Sequence, residues 1–178
     1  YHNGAGSWQF EYYFHPTKRQ FLIDQSGPWH ARFRKNRTWG PPFSGRSLLA
    51  MRSLIPEKID GLLGAAKNLG FSSLVSAAIR LHDHSTMVGQ ASGATAAVAL
   101  KNDINPRAIP FDLKLLDEVR AGLCTSGKGI PQSLWPFKDL KPEDRCFVAV
   151  NRLAARQALP IDPTEVSFHP SKPGPTER

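Results

Sequence analysis

Residues 85–100 read STMVGQASGATAAVAL, and they constrain the fold more than any other stretch. Past Gly93 only Leu100 is larger than valine. Gly89, Gly93 and Ala97 stand at i, i+4 and i+8. On a helix they make one face with almost no side chain, against which a sheet or a second helix can come to backbone distance. The spacing predicts a helix that ends near Asn102, with Pro106 beyond it. With Gly89, Gln90, Ala91, Ser92 and Gly93 at its head, the first amide N–H groups have no intrahelical partner and the dipole is positive. A negatively charged or electron-rich planar group then fits against the backbone. The same residues suit tight helix packing without a ligand, and on their own they leave both readings open.

The elements around this helix can be placed by the same reasoning. SWQFEYYFH at 7–15 is aromatic and partly alternating and predicts a strand, with RQFLID at 19–24 as its partner. HNGAGSW at 2–8 reads as a loop, and 25–46, with Gly-Pro and Trp-Gly-Pro-Pro, as a longer one. KIDGLLGAAK at 58–67 predicts a buried strand that Gly61 and Gly64 open to close approach. SSLVSAAIRL at 72–81 predicts a helix with Ser72 as N-cap and Leu74, Ala77, Ala78 and Leu81 on one face. DLKLLDEVRAGL at 112–123 is the clearest amphipathic helix. Asp112 caps it, and Leu113, Leu116, Val119 and Leu123 form its inner side. RCFVAVNRLAARQAL at 145–159 predicts another, with Phe147, Val150, Leu153 and Ala154 inside and Pro142, Glu143 and Asp144 ahead of it. Residues 160–178 hold five prolines and read as a tail.

Length and composition fit one domain with a core: 178 residues, 40% of them hydrophobic. The chain opens on Tyr1, which reads as a fragment or a processed product. No run is long and apolar enough for a membrane helix, and no signal peptide is visible. Cys124 and Cys146 form no CxxC or zinc spacing and read as two buried thiols. Net charge is +8. Between Thr17 and Arg52, Lys18, Arg19, Arg32, Arg34, Lys35, Arg37, Arg46 and Arg52 face one acid, Asp24, so this stretch alone carries +7. Such a patch favours anionic partners.

From Pro41 to Leu123 the chain resembles the C-terminal part of FAD-dependent oxidoreductases of the glutathione-reductase-like superfamily. PFSGRSLLAMRSLIPEKIDGLLGAAKNLGFSSLVSAAIRL is similar to that family's proline-marked turn, its strand near "NLLVAGK" and a helix ending in "RL". MVGQASGATAAVAL resembles the closing "GQAAG" helix, and NPRAIPFDLKLLDEVRAGL the helices after it. The segment from Leu134 to Pro170 resembles a helical module that follows some bacterial members. The implied fold class is α/β, here an α+β fragment. It would hold the end of a substrate domain (1–55), the C-terminal part of a Rossmann-like FAD-binding domain (56–130) and a helical extension with a tail (131–178). The implied cofactor is FAD. The closing helix would point its amides, from Gly89, Gln90, Ala91, Ser92 and Gly93, at the pyrimidine side of the flavin, where charge develops on reduction. Ala66, where the family has glycine, Lys67 and Asn68 would border the cofactor. The chain has no GxGxxG, so the resemblance puts the pyrophosphate cradle on sequence outside these residues.

Within RLHDHST, Arg80, His82 and His84 precede this helix. By the same resemblance, His82 would move a proton during hydride transfer and Arg80 would hold an anionic small-molecule substrate. Their plain alternative is surface histidines and a helix-capping arginine. His-x-His lacks a third ligand, so no metal is expected. TSGKGIP at 125–131 has a Gly-Lys but not the P-loop spacing. A rival function rests on WHARFRKNRTWGPPFSGR at 29–46, where arginines alternate with Trp29, Phe33 and Trp39 as on a single-stranded nucleic-acid surface. A non-catalytic flavoprotein remnant is the third reading.

Overall fold

The computed structural model describes residues 2–10, 46–125, 130–159 and 165–171, without the side chains of 73 and 74. Two short strands, β1 (Gly4–Trp8) and β2 (Ser47–Ala50), pair antiparallel, with Trp8 opposite Ser47, Ser7 opposite Leu48 and Gly4 opposite Ala50. The ladder is irregular between Gly4 and Ser7. A 3-10 turn (Met51–Leu54) leads out of β2. Among the described residues four helices follow: α1 (Ser73–Ile79), α2 (His82–Lys101), α3 (Leu113–Cys124) and α4 (Phe147–Ala155). A second 3-10 turn, Pro106–Phe111, joins α2 to α3. The arrangement is α+β: one small sheet packed against helices.

Local chemistry explains most of the boundaries. Ser72 accepts from the Val75 amide and starts α1; Asp112 accepts from the amides of Lys114 and Leu115 and starts α3. Asn102 closes α2 by donating its backbone N–H and its side-chain amide to the Val98 carbonyl, and Asp103 then turns away at φ +50°. Leu116, Val119 and Leu123 are buried as the spacing required, but Leu113 is 55% exposed, because it stands in the first turn at the outer end of α3. Leu153 of α4 is likewise 40% exposed.

Two expectations fail. Residues 2–8 are not a loop: Gly4 to Trp8 form β1, which is buried apart from the half-buried Ser7. The glycines are there for packing. A Cβ on Gly6 would lie 2.7 Å from Met87 Sδ and 2.9 Å from Gln132 Nε2, and one on Gly4 would lie 3.2 Å from the Ala155 carbonyl oxygen. Residues 58–67 are not a strand. A strand needs a neighbour to complete its backbone pairing, and among the described residues only β1 and β2 pair. The segment satisfies its backbone locally instead. Gly64 N–H donates to the Leu54 carbonyl, and the amides of Ala65 and Ala66 donate to Asn68 Oδ1. Gly61 turns at φ +71°, a region natural to glycine. Arg107 holds the segment from outside through Asp60 Oδ1 (2.7 Å) and the carbonyls of Pro56 and Ile59. The expected partner strand at 19–24 and the basic loop at 25–45 lie outside the described residues.

One hydrophobic core joins the sheet to all four helices; it includes Trp8, Leu49, Ala78, Val88, Leu116 and Phe147. Its polar fastening is Arg120, 0% exposed on α3. Its guanidinium donates to the carbonyls of Gly4 (2.9 Å), Ala155 (3.2 Å) and His2, and to Asp117 Oδ1 (3.2 Å). Asp117 also accepts from Arg152 (2.9 Å) and Arg156 (3.3 Å) of the α4 side. Burial pushes the Asp117 carboxyl up, but the hydrogen bonds from Arg152 and Arg120 outweigh it and hold the group below the ordinary carboxylate range. A second fastening is the buried Asn151, whose Oδ1 accepts from the amides of Leu134 and Trp135 and whose Nδ2 donates to the Phe147 carbonyl. No helix among the described residues is long and apolar enough to cross a membrane.

Candidate functional site

Helix α2 begins seven residues before Gly89, at His82. The amides of Gly89, Gln90, Ala91, Ser92 and Gly93 are therefore inside a helix, where each N–H is directed at the carbonyl four residues back. They are not the free amides expected from the sequence. Side-chain directions divide these five residues further. Ala91 and Ser92 point into the core, and Gln90 donates across to the Ile130 carbonyl. Gly93 is exposed, with nothing within 4 Å of where a Cβ would stand. At Gly89 a Cβ would meet only the Ala65 carbonyl oxygen, at 3.4 Å.

That contact brings two separate stretches of sequence together. The loop with Ala66, Lys67 and Asn68 lies against α2 at Gly89, and all three residues are exposed. Asn68 Oδ1 is committed to the amides of Ala65 and Ala66 (3.2 and 3.1 Å), so its oxygen shapes the loop. Gly64, at the base of the loop, has no room for a side chain: a Cβ would fall well inside contact with the Asn68 carbonyl oxygen.

The free amides of α2 are those of His82, Asp83 and His84. The first intrahelical bond is from Ser85 N–H to the Leu81 carbonyl (2.9 Å), and the Leu81 side chain supplies no cap. Among the described residues, the positive end of this twenty-residue helix receives no side-chain cap from its N-cap residue, Leu81. Asp83, in the same turn and exposed, favours the helix but opposes an incoming anion. Arg80 ends α1 and is half-buried. His82 is exposed on the first turn. His84 packs between two aromatic rings of the sheet side, Trp8 and Phe10, at centroid distances of 6.4 Å each, the Phe10 ring edge-on. Its Nδ1 is buried and has no hydrogen-bond partner. A His-x-His step with the chain's first strand on one side and a helix start on the other is a feature only the fold assembles. The dipeptide signal was in RLHDHST, but the aromatic flank was not legible there.

No group of three or more His, Cys, Asp or Glu stands ready for a metal among the described residues. Both cysteines are free. Cys124 is buried, and burial pushes its thiol up to about 12; Cys146 is only partly buried. Of the basic stretch 29–46, only Arg46 lies within the described residues, and its guanidinium is bonded to the Glu165 carbonyl.

The residues present fit one end of a flavin cofactor. The helix start, with no cap from Leu81, suits a negatively charged or electron-rich group, and the same helix is bare at a separate place, Gly93, eleven residues along. No glycine-rich strand-to-helix cradle for a pyrophosphate occurs among the described residues. Comparison with known families gives a match to the family described as FAD dependent oxidoreductase over residues 4–123, from β1 to the end of α3. No curated protein and no solved structure matches.

Proposed function

The chain belongs to the FAD-dependent oxidoreductase family, whose cofactor is FAD, and from that premise we propose that it supplies the flavin-facing side of a site for hydride transfer with a small-molecule substrate. The observation that carries the reading is the first turn of α2, which lies inside the matched span directly after Arg80 and carries no cap from Leu81, while the 64–68 loop meets the same helix two turns on, at Gly89. FAD supplies hydride acceptance and donation at its ring system when bound. The amides of His82, Asp83 and His84 are oriented toward negative charge and need no rearrangement to meet it. Gly89 and Gly93 keep the neighbouring helix face bare, and Ala66, Lys67 and Asn68 border it. His82, exposed at the helix start, is placed to exchange a proton with substrate, and Arg80 to hold an anionic group by paired hydrogen bonds. In this proposal the fold is the C-terminal part of a Rossmann-like domain of the glutathione-reductase-like superfamily. Residues 1–55 serve the substrate, 56–130 the flavin, and 131–178 form a helical extension. The three parts share one core, so the division is one of function.

The test is a titration of the purified chain with FAD, followed by flavin fluorescence and by visible absorbance. Saturable quenching that weakens when His84 is replaced by alanine supports the reading. Saturable binding that His84→Ala and Gly93→Val leave untouched would place the flavin elsewhere. Salt-dependent binding of single-stranded nucleic acid, with no flavin binding, would favour the rival reading based on residues 29–46.

A further inference from the structure

The loop that meets α2 at Gly89 hangs from one place and is gripped at another. Its two ends are bonded to neighbouring residues of the first 3-10 turn: the Gly64 amide donates to the Leu54 carbonyl (2.6 Å) and the Gly70 amide to the Ser53 carbonyl (2.9 Å). Leu63 and Leu69 lean on the core beside those bonds. The bonds from the Ala65 and Ala66 amides to Asn68 Oδ1 are internal to the turn, so they give it shape and do not fix where it stands. Ahead of it, Glu57 to Leu62 are exposed, Ile59 and Leu62 by more than half. Arg107, half-buried in the turn between α2 and α3, grips this lobe. Its Nε donates to Asp60 Oδ1 (2.7 Å), and its Nη2 donates to the carbonyls of Pro56 (2.9 Å) and Ile59 (3.3 Å). The backbone that carries Arg107 is fixed in turn: its amide donates to Asn105 Oδ1 (3.0 Å), and Ile109 and Pro110 just beyond it are buried.

We propose that Arg107 is a positioning residue for the flavin site: by fixing the 56–60 lobe it sets, through Gly61 to Gly64, where Ala65 to Asn68 stand against α2. The inference rests on the flavin reading above, in which Ala66, Lys67 and Asn68 border the cofactor. Two pivots on adjacent residues, Ser53 and Leu54, leave a loop free to swing about the line that joins them. A third attachment off that line removes the swing. The guanidinium suits this task because its planar fork engages a carboxylate and two carbonyls at once. Movement of the lobe is passed on to the turn, since Gly64 has no free space: a Cβ there would collide with the Asn68 carbonyl oxygen. Arg107 touches neither flavin nor substrate in this proposal and acts through the loop alone. A ligand that needs the loop in place binds with an affinity reduced by the fraction of molecules that hold it there. Loosening the clamp therefore weakens FAD binding by no more than it loosens the loop.

The first measurement uses no flavin: amide hydrogen exchange of the full chain, followed by NMR. In Arg107→Gln the amides of Gly64, Ala65 and Ala66 should exchange roughly tenfold faster, about the worth of partly exposed charge-assisted bonds. Those of Leu116 and Val119 inside α3 should not change. The second measurement is an FAD titration by flavin fluorescence, in which Arg107→Gln should weaken binding roughly threefold to fivefold, within the limit set by the exchange result. Arg107→Lys keeps the charge without the fork and should recover part of both changes. Asp60→Asn, at an exposed position, leaves both carbonyl bonds in place and should give a smaller change in each. Unchanged exchange at Gly64 to Ala66 would overturn the clamp, whatever the flavin result. Faster exchange throughout α3 as well would make Arg107 a general stabiliser and overturn the positioning role. Faster local exchange with unaltered FAD affinity would overturn the link to the site while leaving flavin binding itself intact. No FAD binding by the unaltered chain would overturn the flavin reading and this role with it.

Discussion

Replacing Arg120 by methionine removes a group that reaches β1, α3 and the end of α4 together. The carbonyls of Gly4, Ala155 and His2 lose a charged donor in a place closed to water. Each unsatisfied carbonyl costs about 1–3 kcal/mol, less where the chain relaxes to let water in. Asp117 keeps Arg152 and Arg156, so no carboxylate is left buried and unpaired. The expected loss is about 3–5 kcal/mol, the range for breaking a buried ionic contact by removing one partner. That is a large part of the ~5–15 kcal/mol available to a domain. It corresponds to a fall in Tm of about 6–20 °C at this chain length. The assay is urea unfolding followed by circular dichroism, comparing midpoints at a constant m-value. Hydrogen exchange gives the location: the amides of Gly4 to Trp8 should lose protection before those of α2. Arg120→Lys keeps the charge but not the fork of donors, and should restore less than half of the loss. A loss below about 1 kcal/mol for Arg120→Met, or unchanged protection of β1, would refute the fastening argument.

Three further outcomes are expected from the same structure. Gly93→Ala should stabilise the chain by up to about 1 kcal/mol, because the site is an exposed helix interior with free space, whereas Gly64→Ala should destabilise it by about 1–3 kcal/mol through collision with its own loop backbone; paired thermal melts check both signs. Because the folded Asp117 carboxyl is held below its ordinary value, its contribution is fully present above about pH 4 and is lost as pH falls through the lower folded value; an acid titration of stability should show that loss in the unaltered chain and not in Asp117→Asn. In a Cys146→Ser variant, the remaining Cys124 thiol, pushed up to about 12 by burial, should resist an aromatic disulfide reagent at pH 8 until urea is added.

What the sequence determined by itself was local. Ser72 and Asp112 announced two helix starts because a side-chain oxygen two or three residues ahead of an amide is enough to cap it. The end of the small-residue helix near Asn102, and the buried Leu116, Val119 and Leu123, came from periodicity alone. The family resemblance carried by residues 41–123 fell within the span of the family match. Tertiary structure decided the rest, since it depended on what stands next to what. Gly4 and Gly6 look like loop residues in a string, and they form a strand because Ala155, Met87 and Gln132 leave no room for a side chain. KIDGLLGAAK has the composition of a strand but no neighbouring strand among the described residues, so its backbone turns back on Leu54 and Asn68. The helix containing Gly89 and Gly93 starts at His82, because Leu81 and Ser85 close its first turn there. That shift moves the free amides from the glycines to the histidines. Periodicity measures the face of a helix well and its beginning poorly, since the first turn is set by a single backbone bond that no side-chain pattern encodes.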